Sequence, residues 1–241
     1  MTYVISDIHG NSERFNSIMK QINLQPEDTL YVLGDVIDRY SDGIKILRKL
    51  MKMKNVKMLL GNHEYMMLTA LDSESEMLVY NREYYLRLWY RNGGDVTHNC
   101  LKHIRKEIRR EVFDYLRQLP INIKVDVNGK NYLLVHGSPL ENYCPISREY
   151  KTKEEFAVWK RWMPCDAVPE GYILIFGHTP TIYFQDNDPL EIFRCDNAIG
   201  IDCGSGYPKS QFDGETIGRL ACVRLDDLKV FYSKEDEVTN F

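Results

Sequence analysis

Two side chains that bind metal ions in many proteins, Asp7 and His9, lie two residues apart near the start of the chain. They follow an apolar run over residues 3–5, which is typical of a buried strand. A carboxylate and an imidazole at the end of a strand can face one ion. The same pattern also fits a capped turn into a helix that begins at Asn11 or Ser12. The rest of the chain has to decide between these two interpretations.

Polar residues with ligand chemistry follow an apolar run at four more places, at residues 34–39, 61–64, 136–137 and 177–178. Four of the six histidines lie in these loops or in the loop after residues 3–5, and each is next to a glycine or one residue away from one. The other two, His98 and His103, are interpreted as surface or packing residues. The four loop histidines, together with the acidic and amide side chains of the same loops, form a set of oxygen and nitrogen donors. Such donors suit manganese, iron, zinc or magnesium better than thiolate-preferring ions. The full set is Asp7, His9, Asp35, Asn62, His63, His136 and His178.

The elements that must position these loops are indicated by apolar periodicity. Three strand–loop–helix units occupy the first 64 residues, with strands predicted over 3–5, 30–33 and 56–60. Such units form a parallel sheet with right-handed crossovers, and sites in these sheets lie outside the carboxyl ends of the strands. We therefore expect the polar loops to converge.

Residues 65–120 are predicted to form a helical insertion of three helices, around 66–71, 84–89 and 104–116. Their methionine and aromatic stripes indicate core packing, or else a cap that shapes access to the site. A basic run over residues 102–110 is interpreted as a solvated helix face.

The second half predicts a β-hairpin over 121–135 with its turn at Asn128-Gly129, a helix around 156–162, and a strand over 172–176. Residues 199–232 are predicted to form a closing β-meander, and residues 235–241 a frayed tail.

Length and composition predict one domain over residues 1–241. The net charge of −4 gives no sign of a general nucleic-acid footprint, and no apolar run reaches the length of a membrane span. The six cysteines include no Cys-x-x-Cys pair, so neither a zinc knuckle nor a disulfide framework is predicted. We expect a cytoplasmic protein with reduced cysteines, without nucleic-acid or membrane partners, and the sequence predicts no oligomeric state.

The five ordered motifs resemble those of the calcineurin-like metallophosphoesterases, specifically the phosphoprotein phosphatase branch with its bacterial and phage-type members. The motifs are Asp7-Ile8-His9, Gly34 to Arg39, Gly61-Asn62-His63-Glu64, His136-Gly137 and Gly177-His178. The resemblance implies an α/β fold, a four-layer α/β/β/α sandwich of two mixed sheets with a helical cap insertion at about 65–120. It also implies two divalent metal ions, manganese first, with iron, zinc or magnesium as alternatives.

The resemblance also implies a role for each matched residue. His63 would be the general acid for the leaving group, and Asp38 would orient it. Arg39 and Arg161, together with Asn62, would bind the substrate phosphate. Asp7 and His9 would hold the first metal, Asp35 both metals, and Asn62, His136 and His178 the second.

The activity implied by the resemblance is hydrolysis of phosphate monoesters by a hydroxide shared between the two metals, as in bacterial-type serine/threonine protein phosphatases. A phosphorylated protein or a small phosphoester would be the substrate. The alternative is a symmetrical diadenosine tetraphosphate hydrolase, a branch that typically departs at Asp38 and Glu64, and a third is a metal-binding scaffold without catalysis. Two residues depart from the eukaryotic pattern: Tyr40 replaces a glycine, and Leu60 replaces a phosphate-binding arginine, so one phosphate clamp is missing or is supplied from elsewhere.

Overall fold

The computed structural model describes residues 1–72, 82–147, 149–207 and 218–234. Two five-stranded sheets pack face to face, with helices on their outer sides. In chain order the elements are β1 (Thr2–Ile5), α1 (Ser12–Ile22), β2 (Thr29–Val32), α2 (Gly43–Leu50), β3 (Val56–Met58), α3 (Asn62–Leu71), α4 (Arg82–Arg91), α5 (Asp95–His103), α6 (Lys106–Arg117), β4 (Asn122–Val127), β5 (Lys130–Val135), α7 (Lys153–Trp159), β6 (Ile173–Phe176), β7 (Phe193–Cys195), β8 (Ala198–Gly200), β9 (Ala221–Arg224) and β10 (Lys229–Tyr232).

The first sheet has the strand order β10-β9-β1-β2-β3. Strands β1, β2 and β3 are parallel, as the repeated strand–loop–helix units predict, whereas β9 pairs antiparallel with β1. Because β1, β2 and β3 run in the same direction, the loops that follow them lie at one edge of the sheet. The predicted mixed sheet is confirmed.

The second sheet has the order β4-β5-β6-β8-β7, and its strands β5, β6 and β8 are parallel. The predicted hairpin is confirmed as β4 and β5. Alternate residues of the strands fill the space between the two sheets, for example Val4 and Tyr31 from the first and Leu134 and Ile175 from the second. The other residues of the strands face outward. Those of the first sheet pack against helices, and those of the second pack against residues outside the α-helices, such as Trp162 and Phe184. The predicted α/β/β/α sandwich of two mixed sheets with flanking helices is confirmed.

Two sequence predictions about local organisation are wrong. The described part of the insertion contains four helices rather than three: the predicted third helix corresponds to α6, and α5 is an additional helix before it, which ends where the chain becomes extended at Ile104. Helix α5 escaped prediction because it buries only Thr97 and Leu101, which is too little for an apolar stripe. The closing meander is also absent from the described residues: β7 and β8 join the second sheet, and β9 and β10 join the first.

The basic run on α5 and α6 is exposed, as expected for a solvated face. All six cysteines are free. None of the helices in the described ranges has the length and apolar character needed to cross a bilayer. The predicted frayed tail lies outside the described residues, and the single domain over residues 1–241 stays a prediction.

Candidate metal centre

The loops that follow the strands turn through an uncommon backbone conformation. Six non-glycine residues there have φ between 52° and 73°, the left-handed region that L-residues other than glycine rarely adopt. Such strain persists where the surrounding structure fixes it, and it is concentrated at functional sites. These residues are Asp7, His9, Asp35, Asp38, Arg39 and His178.

Asp35 lies at the centre of the site, and its two carboxylate oxygens face different groups of side chains. Its Oδ2 is 3.8 Å from His9 Nε2 and 3.8 Å from His63 Nε2. Its Oδ1 is 3.5 Å from His136 Nε2. Two buried sets of candidate ligands therefore share this one residue, namely His9, Asp35 and His63, and Asp35, His136 and His178. A carboxylate with this arrangement can bridge two cations.

Three of the four histidines in these two sets are each fixed by a backbone carbonyl at the ring nitrogen that faces away from the site. This contact orients the ring and leaves the other nitrogen available, as in most metal-ligating histidines. Burial lowers the pKa of all three rings, which keeps them in the neutral form that binds metal. The contacts are His9 Nδ1 to Ile37 O at 3.3 Å, His136 Nδ1 to Leu33 O at 2.7 Å, and His178 Nε2 to Trp159 O at 3.1 Å.

Asn62 and Asp7 complete the predicted ligand set. Asn62 Oδ1 is 2.8 Å from His136 Nε2 and 2.9 Å from His178 Nδ1, so three donor atoms meet at one point. Asp7 Oδ1 is 3.9 Å from His9 Nε2, and Asp7 Oδ2 accepts the backbone N–H of His178 at 3.0 Å. The fold thus brings all six predicted ligands together.

The donor set fits divalent cations. Burial raises the pKa of Asp35 well above its ordinary value, and Asp7 raises it further, because two carboxylates share a site that excludes water. A cation between them removes this penalty. The set contains carboxylate, amide and imidazole donors, which are the chemistry of manganese, iron and zinc sites.

His63 differs from the other histidines of the site in its partner. Its Nδ1 lies 2.7 Å from Asp38 Oδ2, a carboxylate rather than a backbone carbonyl. Both groups are fully buried, and burial lowers the pKa of His63 to about 4 and raises that of Asp38 to about 7. His63 also belongs to the first set of candidate ligands, so a ligand role and a proton-transfer role are both compatible with its position.

Glu64 fixes the loop that carries Asp35. Its carboxylate accepts the backbone N–H groups of residues 35 and 36 at 2.8 Å, of residue 37 at 3.3 Å and of Gly61 at 3.2 Å. Gly61 is required at this point, since a Cβ there would overlap Asp35. Glu64 thereby ties together the loops after β2 and β3.

The two predicted phosphate-binding arginines lie beside the site, each over a tyrosine ring. Arg39 is half-buried, 4.9 Å from the Tyr207 ring centroid, and Arg161 is exposed, 5.6 Å from that of Tyr183. The charge of Arg39 lowers the pKa of His9 and His63, and the charge of Arg161 lowers that of His178. Neither guanidinium forms an ion pair within the described residues. Leu60, by contrast, is buried in the apolar core, so no cation occupies that position.

Sequence reasoning missed Asp202 as a residue of the site. It is buried, and burial together with the charge of Asp7 raises its pKa. A signal was present, because Asp202 follows the apolar strand β8 in the same way that Asp7 and Asp35 follow β1 and β2. The contact of Trp89 Nε1 with Asp38 Oδ2, at 2.7 Å, had no such signal.

Comparison with known proteins gives one family and more than one kind of activity. Residues 2–202 match the model of the calcineurin-like phosphoesterases. Serine/threonine-protein phosphatase 2 of Salmonella typhimurium is 29% identical over 143 residues, which cover 58% of this chain and 60% of that protein. A symmetrical bis(5'-nucleosyl)-tetraphosphatase of Acidovorax sp. is 29% identical over 144 residues, which cover 58% of this chain and 45% of that protein.

The fold has relatives among solved structures as well. A cold-active protein-tyrosine phosphatase of Shewanella sp. matches with a TM-score of 0.56 and 16% identity, over 97% of this chain and 80% of that one. At this identity the match concerns the fold alone. The aligned stretches span about half the length of the two curated relatives, at 60% and 45%.

Proposed function

Because the chain belongs to the calcineurin-like phosphoesterase family, we propose that it is a metal-dependent phosphomonoesterase of the bacterial serine/threonine protein phosphatase type. The observation that carries the proposal is the pairing of a shared carboxylate with a separate acid pair. Asp35 presents one oxygen to each set of ligands, and His63 is hydrogen-bonded to Asp38 at 2.7 Å. A site for binding alone has no need of the second feature.

In this proposal Asp7 and His9 would hold one ion, Asn62, His136 and His178 would hold the other, and Asp35 would contribute to both. Two divalent ions, manganese first, would polarise the phosphoryl oxygens and lower the pKa of a water molecule when bound. With only two carboxylates among these six residues, the loaded site is net positive and attracts a phosphate dianion.

Arg39 and Arg161 donate hydrogen bonds to the phosphate oxygens, because a guanidinium fork matches their geometry. Neither guanidinium is held in an ion pair among the described residues, and each lies over a tyrosine ring. Asn62 meets His136 and His178 of the second set through its Oδ1, and its NH₂ group can donate to the phosphate.

His63 donates its Nε2 proton to the leaving oxygen while Asp38 accepts the Nδ1 hydrogen bond. Burial lowers the pKa of His63 to about 4 in the metal-free chain, which disfavours the proton that an acid needs. The Asp38 carboxylate and the negative charge of bound phosphate both favour the protonated ring. We therefore expect His63 to take up its proton as the substrate binds.

A second candidate is symmetrical hydrolysis of diadenosine tetraphosphate, and one feature of the site favours it. The Tyr183 side chain beside Arg161 is 62% exposed, which is unusual for a tyrosine and leaves a ring face for a nucleobase. The presence of Asp38 and Glu64, where that branch typically departs, favours the phosphatase.

One experiment separates the candidates. The manganese-loaded protein is assayed with phosphoserine, phosphothreonine and phosphotyrosine peptides and with diadenosine tetraphosphate, each with and without chelator. We expect the highest kcat/KM on a phosphopeptide and complete loss with chelator. Preference for the dinucleotide would favour the second candidate, and turnover that survives chelation would contradict both. Absence of turnover on all four substrates would leave a metal-binding scaffold.

A further inference from the structure

The helical insertion forms three hydrogen bonds with the loop that carries Asp38 and Arg39. The backbone N–H of Asp38 donates to Thr97 Oγ1 at 3.0 Å, and that of Arg39 donates to Gly93 O at 3.0 Å. The indole N–H of Trp89 donates to Asp38 Oδ2 at 2.7 Å. The insertion therefore contacts the acid pair at Asp38, the member of the pair that is not a candidate metal ligand.

The third contact is distinctive because of the atom it uses. Asp38 Oδ2 accepts the Trp89 indole N–H at 2.7 Å and also lies 2.7 Å from His63 Nδ1. Two donors on one oxygen restrain the rotation of the carboxylate, since a rotation that moves Oδ2 disturbs both hydrogen bonds. The indole is fully buried, so water cannot replace it as a donor.

The insertion also holds the indole itself in place. The Trp89 ring stacks on His98, with ring centroids 5.7 Å apart and planes at 29°. Gly94 packs directly against the indole, where a Cβ would overlap its ring atoms. The Gly93-Gly94 turn thus allows α5 to approach α4 closely enough to enclose the ring.

From this geometry we propose that Trp89 is a positioning residue for the leaving-group acid, through a hydrogen bond that fixes the Asp38 carboxylate against His63. The proposal rests on the role of His63 given under the proposed function. Trp89 does not touch the substrate in this account; it acts through Asp38. The insertion then serves as a support for proton transfer in addition to covering the core.

The test uses Trp89→Phe, which keeps an aromatic ring and removes the N–H, in the manganese-loaded protein. Proton donation matters for a poor leaving group and little for a good one. We expect kcat on phosphoserine to fall by about 10-fold or more, part of the about 10²–10⁴-fold that a positioned acid contributes. We expect kcat on p-nitrophenyl phosphate, KM and manganese content to stay near their original values.

Tyr85→Phe is the matched control, since it removes a hydroxyl from the same helix whose partner is Glu155, at 3.4 Å, and not Asp38. We expect this variant to change kcat on phosphoserine and kcat on p-nitrophenyl phosphate by the same factor. Benzothienylalanine at position 89, in which sulfur replaces the N–H of an otherwise similar ring, provides a second variant if the phenylalanine leaves too large a cavity. It should reproduce the selective loss on phosphoserine.

A readout independent of turnover is the indole N–H proton resonance of Trp89 in the metal-free protein. We expect it to move upfield in Asp38→Ala and to stay in place in Asp42→Ala. Equal slowing of both substrates, loss of manganese, or an unmoved resonance would make Trp89 a packing residue and overturn the proposal. The variant His63→Asn separates the acid role of His63 from the positioning role of Trp89. If His63→Asn loses kcat on phosphoserine but not on p-nitrophenyl phosphate, and Trp89→Phe does not, only the Trp89 proposal fails. If His63→Asn shows no selective loss, the acid role of His63 is wrong and the Trp89 proposal fails with it.

Discussion

Replacement of Glu64 by glutamine tests whether this residue fixes the central loop of the site. Each carboxylate oxygen of Glu64 accepts two backbone N–H groups, with Asp35 and Gly61 on one oxygen and Val36 and Ile37 on the other. The amide of glutamine has one oxygen and one NH₂ group, so whichever way it turns, two of these donors lose their acceptor and face another donor. Glu64 is fully buried, so water cannot take its place.

The magnitude follows from these contacts. A buried donor without an acceptor costs about 1–3 kcal/mol, so two cost about 2–6 kcal/mol. Burial raises the pKa of Glu64, which means that its charge is itself unfavourable there, and a neutral amide recovers part of the loss. We expect a net decrease of about 2–3 kcal/mol in the free energy of unfolding. At about 2–4 °C per kcal/mol for a protein of this size, the melting temperature falls by about 4–12 °C.

Two measurements are made. Urea unfolding of the metal-free protein at neutral pH gives the free energy of unfolding, and a separate calorimetric titration of the folded protein gives its affinity for manganese. Glu155→Gln is the matched control, because that carboxylate accepts one exposed backbone N–H, from Lys151 at 2.7 Å. We expect the control to change the unfolding free energy by about 0.5 kcal/mol or less. We also expect weaker manganese binding in Glu64→Gln alone, since Asp35 lies on the loop that Glu64 holds. Equal unfolding free energies for the two variants would refute this account of Glu64.

Three further outcomes test the metal centre and the acid. Asp35→Asn removes the shared carboxylate and should lose most of the bound manganese by elemental analysis, whereas Asp42→Asn on the surface should not; full retention would contradict the bridging role. His63→Asn should keep the metal yet slow alkyl phosphates by about 10²–10⁴-fold and aryl phosphates much less, in steady-state assays; equal slowing would argue for another role. Burial raises the pKa of Asp35, so below that raised pKa the metal-free protein carries a proton there that the ion must displace. Manganese affinity should therefore rise with pH, and manganese binding should release protons. Calorimetry in buffers of different ionisation enthalpy measures this release. The histidines contribute no protons to it, because their lowered pKa values keep them neutral.

The candidate ligands could be predicted from the sequence because the pattern that marks them involves only neighbouring residues. Asp7, Asp35, Asn62, His136 and His178 each lie one or two residues after an apolar run that predicts a strand. Strands of one direction end at one edge of a sheet, so the secondary structure places Asp7, Asp35 and Asn62 at one edge of the first sheet, and His136 and His178 at one edge of the second. That these two edges meet depends on how the sheets pack. The same rule applied to β8 would have found Asp202.

For the helical insertion, the sequence predicted only which residues are buried. Trp89 lies on a predicted apolar stripe, and it is indeed fully buried. Periodicity indicates which face of a helix is covered, but it does not indicate which polar atom meets which. The partner of the Trp89 indole is 51 residues away in the chain, and that pairing depends on how α4 and α5 fold back over the loop after β2.

The sequence by itself determined the ligand types and the order of the strands that deliver them, because residue type and strand ends are local properties. The central place of Asp35 was implied only by the resemblance to the phosphoesterase family. Only the tertiary structure decided that Glu64 holds the Asp35 loop through four backbone N–H groups, that Trp89 shares an oxygen of Asp38 with His63, and that the last four strands divide between two sheets. Each of these depends on contacts between segments far apart in the chain, and hydrogen-bond direction and sheet membership leave no periodic trace in the residues that form them.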